Sequence, residues 1–562
     1  MSIQIEIKPL SSLEKIFPDE DLSLHPCHDR FVMLNNERLS YQIGIYAPPQ
    51  KLRRPAYLTI KTEGALAPYT HIRQVRNVGV NYPISPANED TDYLRTTPSL
   101  YPDPIAPLCY NGQLRCASDF AQAIWLDVEL PDAFPGGDYV TTVSFFERND
   151  KDNTETYLTK AEIHIRVLAA TLPRQKTIHT EWFYSDCIAE EYRVKPFSKK
   201  HWEYLKNYIE VAAKNGINMI LTPVFTPELD TYIGGYRLTT QLVSITVVAK
   251  NQYTFDFKQL GQWIDLCLSL GIEYFEIPHF FTQWGSKHAP KFVARVGSRT
   301  KRIFGWETDA LGEEYTAFLS QFIPALLHYL KQKGVDKKCF FHVSDEPKLN
   351  DIEHYQKCSA LLKKHLGEDY PIIDALSDYD FYQSGALKKP VSFIPKSKPF
   401  LDTKVDGLWV YYCGETTGFT GRLHALPLAR TRVLGIQLWR HNVEGFLHWG
   451  YNFYHSRNSY DYVNPFEESS AQFFAPAGDA FLVYPAHDGT ALESLRLNAM
   501  REAMDDVRAL DRLTELKGRD YVERIVAEEA GGKLPDFFDY PHDANFLLRL
   551  HDRIALEIEN AI

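Results

Sequence analysis

The sequence predicts a multidomain protein: an N-terminal β-sandwich, a central (β/α)₈ TIM-type barrel, and a small C-terminal region of β-strand plus helices. Three observations predict it. Residues 1–170 carry short alternating segments with no long helical period. From Thr177 the rhythm changes, and four times a helix-like segment runs into a glycine and then a short apolar strand. After about residue 471 long charged helical patterns take over. The boundaries read as 1–170, 177–470 and 471–562, with Thr171–Lys176 as a linker.

In the first region the strand candidates are Tyr57–Lys61, Ala123–Glu129, Tyr139–Phe146 and Glu162–Val167. In the last of these Ile163, Ile165 and Val167 fall on every second position, which gives one buried face. Pro, Gly, Asn and Asp clusters such as Pro131–Asp138 separate them. Such a pattern suits a sandwich.

In the second region Ser198 reads as a helix N-cap, and Trp202, Leu205, Ile209 and Ala212 follow at helical spacing. Gly216, Gly271, Gly334 and Gly367 each close a helix, as a C′ residue in the left-handed region does. Helix–strand alternation implies right-handed βαβ units and a parallel sheet. The strand candidates are Thr177–Phe183, Ile217–Leu221, Ile272–Ile277, Cys339–Val343, Pro371–Leu376, Val391–Ile394, Gly407–Tyr411 and Gly445–Trp449, which makes eight. A doubly wound sheet is the alternative, but no Gly-rich phosphate turn follows a strand. In the C-terminal region Phe481–Tyr484 reads as a strand, and Ala491–Leu516 and Asn545–Ile562 as helices.

The 562 residues carry a net charge of −12 and no basic run, which disfavours nucleic acid. No stretch approaches the ~18 apolar residues that span a bilayer, so no membrane partner is expected. The start, MSIQIEIKPL, has no signal-peptide pattern, and a cytoplasmic location is the expectation. Eight cysteines lie singly with no C-x-x-C pair, so neither zinc nor a redox motif is suggested. No HExxH or comparable spacing supports a metal, and no cofactor is expected. Homo-oligomerisation is left open.

A barrel's chemistry sits at the carboxyl ends of its strands. Those ends here are rich in acids and aromatics: Trp182, Asp230, Glu276, His279, Trp284, Asp345, Glu346, Tyr411, Glu415, Trp449 and Asn452. That mix suits a sugar, whose C–H face lies on a ring while acids work on the glycosidic oxygen. His279, Trp284, Asp230, Tyr411, Trp449 and Asn452 are candidate substrate contacts. Bland alternatives stand beside them: Trp409 and Trp439 read as core, Trp284 and Trp449 as core or platform, His279 as a satisfied buried histidine.

The adjacent pair Asp345–Glu346 ends the run Cys339-Phe340-Phe341, just before Pro347. Successive strand residues point to opposite faces, so both acids reach one site only where the strand breaks up. Carboxylates that close push one pKa upward, and a raised Glu suits a general acid. The bland alternative is an ion pair or a cap for the helix that follows. Two mechanisms fit. Glu415 could pair with Glu346 as in ordinary retaining glycosidases. Alternatively the substrate's own 2-acetamido oxygen attacks, with Glu346 as acid/base and Asp345 orienting the acetamido group. A non-catalytic carbohydrate-binding barrel is a third reading.

The segments HTEWFYSDCIA (179–189), TPVFTPELDT (222–231), FTQWG (281–285), RIFGW (302–306), FHVSDEP (341–347), GFLHWGYNFY (445–454), GDAFLVYP (478–485) and SLRLNAMREAMDD (494–506), in this order, resemble glycoside hydrolase family 123, the β-N-acetylgalactosaminidases. The resemblance implies a sandwich, a (β/α)₈ barrel and a small C-terminal part. It also implies exo-cleavage of terminal β-linked N-acetylgalactosamine with retention, by the substrate-assisted route, with the family's Asp–Glu pair on Asp345 and Glu346. The substrate partner it implies is an oligosaccharide or glycoconjugate.

Overall fold

The computed structural model describes residues 2–562 except 52–53, 88–89, 150–152 and 415, and the side chains of 110 and 111 are also not described. The chain packs as two compact units that are interleaved in sequence. One comprises 1–176, 420–440 and 492–562; the other comprises 177–419 and 441–491. The stretch 177–470, read as one barrel, is therefore interrupted by a segment that packs with the N-terminal sheets.

In the first unit two sheets share a core. One runs in the order Glu6–Ser11, Arg38–Ala47, Phe120–Glu129, Thr70–Val80, Ser99–Ala106. The other runs Arg30–Asn35, Glu155–Thr171, Gly137–Arg148, Ala56–Glu63, Leu114–Cys116. The period of two decides which side chains go where. Ile124, Leu126 and Val128 enter the core between the sheets with Tyr41, Ile43, Val143 and Ile163. Their neighbours Ala121, Ala123 and Trp125 point the other way, into a second core with Leu428, Val433, Trp439 and the helices Leu495–Lys517, Arg519–Glu529 and Ala544–Glu559. Trp439 is core, as expected. The expected helix from 491 starts with a strand, Ala491–Ser494, whose Glu493 and Ser494 pair with Ile105 and Pro104.

The second unit is built on eight parallel strands: Ile178–Glu181, Met219–Leu221, Tyr274–His279, Cys339–His342, Ile373–Leu376, Lys389–Phe393, Trp409–Tyr411 and Gly445–His448. Each overlaps its predicted segment. They pair in chain order, the first strand pairs with the eighth, and a Phe341–Ile372 bridge links the fourth to the fifth. The sheet is thus a nearly closed barrel. The helices Lys199–Lys214, Lys258–Ser269, Glu313–Gln332 and Ile352–Leu366 follow the predicted periods. Ser198 caps the first by accepting from the His201 N–H. Gly216, Gly271, Gly334 and Gly367 all have φ between 69° and 99°, the left-handed conformation that ends a helix at least cost. Trp409 is core too: it is fully buried, and a Cβ on Gly445 would fall 2.4 Å from its ring.

The sequence reading missed a four-stranded excursion between the second barrel strand and the fourth: Ser244–Ala249, Gln252–Asp256, Phe292–Val296 and Arg299–Phe304. The signal was present, since two β-branched and aromatic runs flank turns at Asn251 and Gly297, both with positive φ. Among the described residues no helix is long and apolar enough to cross a membrane.

Candidate active site

The fourth barrel strand stops at His342, and the backbone then bends away from extended geometry. Glu346 takes φ +42°, which a residue with a side chain adopts only under constraint. This break turns two adjacent side chains toward one cleft. Asp345 and Glu346 line it together with Asp230, Tyr411, Cys413 and Trp449. Trp182, Ala375, Leu447 and Phe474 complete the wall.

Glu346 accepts a hydrogen bond of 2.7 Å from the Tyr411 hydroxyl on its Oε1. Asp345 has no hydrogen-bond partner among the described residues. Burial, then the charges of Glu346, Asp230 and Asp374, hold its carboxyl well above the ordinary range, against the opposing pull of His342. The upward push expected within the pair is thus found on Asp345.

Asp230 is the third carboxyl in the cleft. Burial lifts it to about 6, Arg237 opposes, and Glu346 and Asp479 add to the rise. Its backbone is left-handed, with φ +50°. That turn is fixed from two sides: the Asp230 N–H donates to Gln283 Oε1 at 2.8 Å, and its carbonyl accepts from Ser459 Oγ at 2.7 Å.

Beneath the cleft lies a second carboxylate system, fully bonded. His342 gives Nε2 to Glu276 Oε1 at 2.7 Å and Nδ1 to Asp374 Oδ1 at 3.1 Å. Burial disfavours its charge, but the two carboxylates outweigh burial and raise it to about 9. Glu276 also accepts from Thr180 Oγ1 at 2.6 Å and from Trp182 Nε1 at 2.7 Å. Asp374 accepts from the Tyr355 hydroxyl and the Val343 N–H. Through Trp182 this network fixes one wall of the cleft.

The other candidates divide. Trp449 lines the cleft, and its Nε1 donates to Asp479 Oδ2 at 2.8 Å. His279 does not line it. It is buried, packs against His342 with ring centroids 4.2 Å apart and the rings tilted by 31°, and leaves both ring nitrogens without a hydrogen-bond partner among the described residues. Burial and the neighbouring His342 keep it neutral, well below the usual histidine pKa. Asn452 is fully buried, and its amide spans the Tyr184 backbone: Nδ2 donates to the Tyr184 carbonyl and Oδ1 accepts from the Tyr184 N–H. It shapes the loop after the first strand rather than touching the cleft. Trp284, at φ +58°, is 46% exposed and stands outside the lining. Glu415, weighed as a partner for Glu346, lies outside the described residues.

Cys413, Phe474 and Asp479 were missed. Asp479 had a signal: a lone acid in the apolar run GDAFLVYP is costly to bury unless bonded. It accepts from Trp449, His448 Nε2 and the Gly414 N–H.

Among the described residues two clusters have donors close enough for a metal ion: His279, His342 and Asp374, and Asp186, Cys187 and His455. In the first, both nitrogens of His342 already serve carboxylates. In the second, Arg237 binds Asp186 at 2.6 Å and directs Nη2 at Cys187.

A search of curated protein sequences finds no match. A β-glucuronidase from Ruminococcus gnavus aligns at 8% identity over 83% of this chain and 65% of that chain, but its TM-score of 0.30 carries no argument. The structure of a family 123 glycoside hydrolase from Clostridium perfringens, described for glycolipid glycan hydrolysis, gives a TM-score of 0.71 at 15% identity, over 99% of this chain and 98% of that chain, and so shows a shared fold. The model of the glycoside hydrolase 123 catalytic domain matches residues 182–513, more than half of the sequence and the whole cleft. The chain belongs to glycoside hydrolase family 123 and is a glycosidase.

Proposed function

We propose that this glycosidase releases a terminal β-linked 2-acetamido sugar, N-acetylgalactosamine first among them, with retention and by substrate-assisted catalysis. The observation that carries the reading is that Asp345 and Glu346 leave one strand break side by side and line one cleft. An inverting pair stands ~6.5–9.5 Å apart across the sugar ring, which adjacent residues on one wall suit poorly.

The roles follow from the partners. Tyr411 occupies Glu346 Oε1, so Oε2 is left to carry the proton for the glycosidic oxygen. The acetamido oxygen attacks the anomeric carbon as the bond to the leaving oxygen breaks, and Glu346 gives that oxygen its proton. Asp345, with no protein partner, accepts from the acetamido N–H and faces the positive charge of the oxazolinium ring. A carboxyl that resists ionisation in the empty cleft gains most when a cation forms beside it. In the productive form the proton to be transferred is on Glu346, within reach of the leaving oxygen. Water then attacks the anomeric carbon, its proton returns to Glu346, and the bond to the acetamido oxygen breaks. Trp182 and Trp449 supply aromatic surface for the ring's C–H face.

A second reading has its own support. Asp230 lines the same cleft and feels the charge of Glu346. It could act as a nucleophile opposite Glu346, as in ordinary retaining enzymes. Initial rates on aryl β-glycosides of N-acetylgalactosamine, N-acetylglucosamine, galactose and glucose separate the two. The expected result is turnover of the 2-acetamido sugars alone, fastest for N-acetylgalactosamine. Comparable turnover of the galactoside or glucoside overturns substrate assistance and favours the Asp230–Glu346 pair.

A further inference from the structure

The loop that carries Asp230 into the cleft continues, two residues on, to an exposed aromatic stack. The rings of Tyr232 and Tyr460 lie 4.5 Å apart and 6° from parallel. Tyr232 is 40% exposed and Tyr460 63%. The order of the stack is set by a glycine. A Cβ on Gly235 would fall 2.6 Å from the Tyr232 ring, so one face of Tyr232 lies against the Gly235 backbone and the other against Tyr460. The second face of Tyr460 has no ring partner among the described residues.

The backbone under this stack is fixed in detail. The Tyr232 N–H donates to the Asn458 carbonyl at 3.1 Å. Ser459 Oγ donates to the Asp230 carbonyl, and Gln283 Nε2 to the Thr231 carbonyl at 3.0 Å. Asn458 and Ser459 both take positive φ, which turns Tyr460 back over Tyr232. Solvent-facing aromatics are ordinarily mobile and singly placed. Here two loops are cross-bonded to hold a flat ring outward, on a loop tied to the one that carries Asp230 into the cleft.

We propose that the open face of Tyr460, backed by Tyr232 and Gly235, receives the saccharide on the leaving-group side of the scissile bond. This rests on the reading of the cleft as the site that holds the terminal sugar. Every glycoside that enters extends past the cleft, and the Asp230 loop leads from the cleft lining to this stack within two residues. A sugar suits it better than an acyl chain. The ring is a single flat patch with a phenol hydroxyl at its edge, which matches a pyranose with one C–H face and a hydroxyl edge.

The experiment compares kcat/KM on two substrates that share the terminal 2-acetamido sugar: its β-linked conjugate to a disaccharide, and its methyl β-glycoside. Tyr460→Ala is expected to lose about 10-fold on the conjugate, mainly through KM, and to keep the methyl glycoside rate. Tyr460→Phe, which keeps the ring, stays within about 3-fold on both. Gly235→Ala, which displaces Tyr232 without removing either ring, shows a milder form of the Tyr460→Ala pattern. Equal losses on the two substrates, or no loss on the conjugate, overturn the proposal. If the terminal sugar proves to be another, the same ratio is read on that sugar's glycosides, so the platform and the 2-acetamido reading fail separately.

Discussion

Two sets of carboxyls occupy the carboxyl end of this barrel, and they are treated in opposite ways. In the lower set every oxygen of Glu276 and Asp374 is met by a donor, from Thr180, Trp182, Tyr355, Val343 or His342. In the upper set Asp345 has no hydrogen-bond partner among the described residues, Glu346 takes one bond from Tyr411, and Asp230 and Asp345 are both held above the carboxylate range. A buried acid with all its bonds made is architecture; a half-buried acid left short of bonds is held ready for something that arrives. Residue type is the same in both sets, and only satisfaction separates them.

The contrast is broken most strongly in the upper set. Glu346→Gln is expected to slow glycosides with poor leaving groups by about 10²–10⁴-fold, while a dinitrophenyl glycoside, which leaves without a proton, is largely spared. Asp345→Asn is expected to slow both kinds by about 10²–10³-fold, because it acts on the oxazolinium rather than on the departing oxygen. It should also raise the apparent Tm at pH 7. The folded-state pKa of Asp345 lies above its unfolded value, so its ionised form costs stability at neutral pH, and an uncharged isostere removes that cost. Loss of Tm in this variant would assign Asp345 to the architecture instead.

In the lower set the effect should reverse in kind. Glu276→Gln turns an amide N–H toward Trp182, Thr180 or His342 and strips a buried imidazolium of one counter-charge. A cost of about 3–5 kcal/mol is expected, read from the urea midpoint. The histidine gives this set a pH signature. Its folded pKa of about 9 lies above the ordinary value, so its stabilisation is complete below about pH 6.5 and is lost as the pH rises through about 9. The midpoint of the wild type should fall between pH 7 and 9.5 by more than that of His342→Gln.

How much of this was legible follows from the same contrast. Patterned features were legible: eight strands, four helix-ending glycines and the Asp345–Glu346 break all rest on local rules of period, φ and Pro placement. Partnership was not. Asn452 and His279 are polar residues at strand ends, as the cleft carboxyls are, and only the fold shows one bonded to Tyr184 and the other packed against His342. Phe474 reaches the cleft from a turn in which Ala471, Gln472 and Phe473 all have positive φ, a geometry that no periodicity announces. The 420–440 segment lies inside the stretch 177–470 that reads as the barrel and yet packs with the N-terminal unit, because its apolar residues Leu428, Val433 and Ile436 match a core formed far away in the chain.

Asp230 is the third member of the upper set, and its substitution sharpens the comparison with the smallest effect. Its pKa of about 6 means that it is charged across most of the neutral range, and there it helps to hold Asp345 protonated. Asp230→Asn removes that negative neighbour, so Asp345 ionises at lower pH and the acid limb of the kcat/KM profile moves acidward. The rate at the optimum should change by only a few-fold. Two other outcomes are distinct. A higher KM with an unmoved limb makes Asp230 a sugar contact without electrostatic influence on the pair. A collapse of kcat by about 10⁴-fold, as loss of a nucleophile gives, moves the chemistry from the acetamido group to Asp230 itself. The pH profile of one variant thus reads whether the third carboxyl tunes the pair, grips the sugar or attacks it.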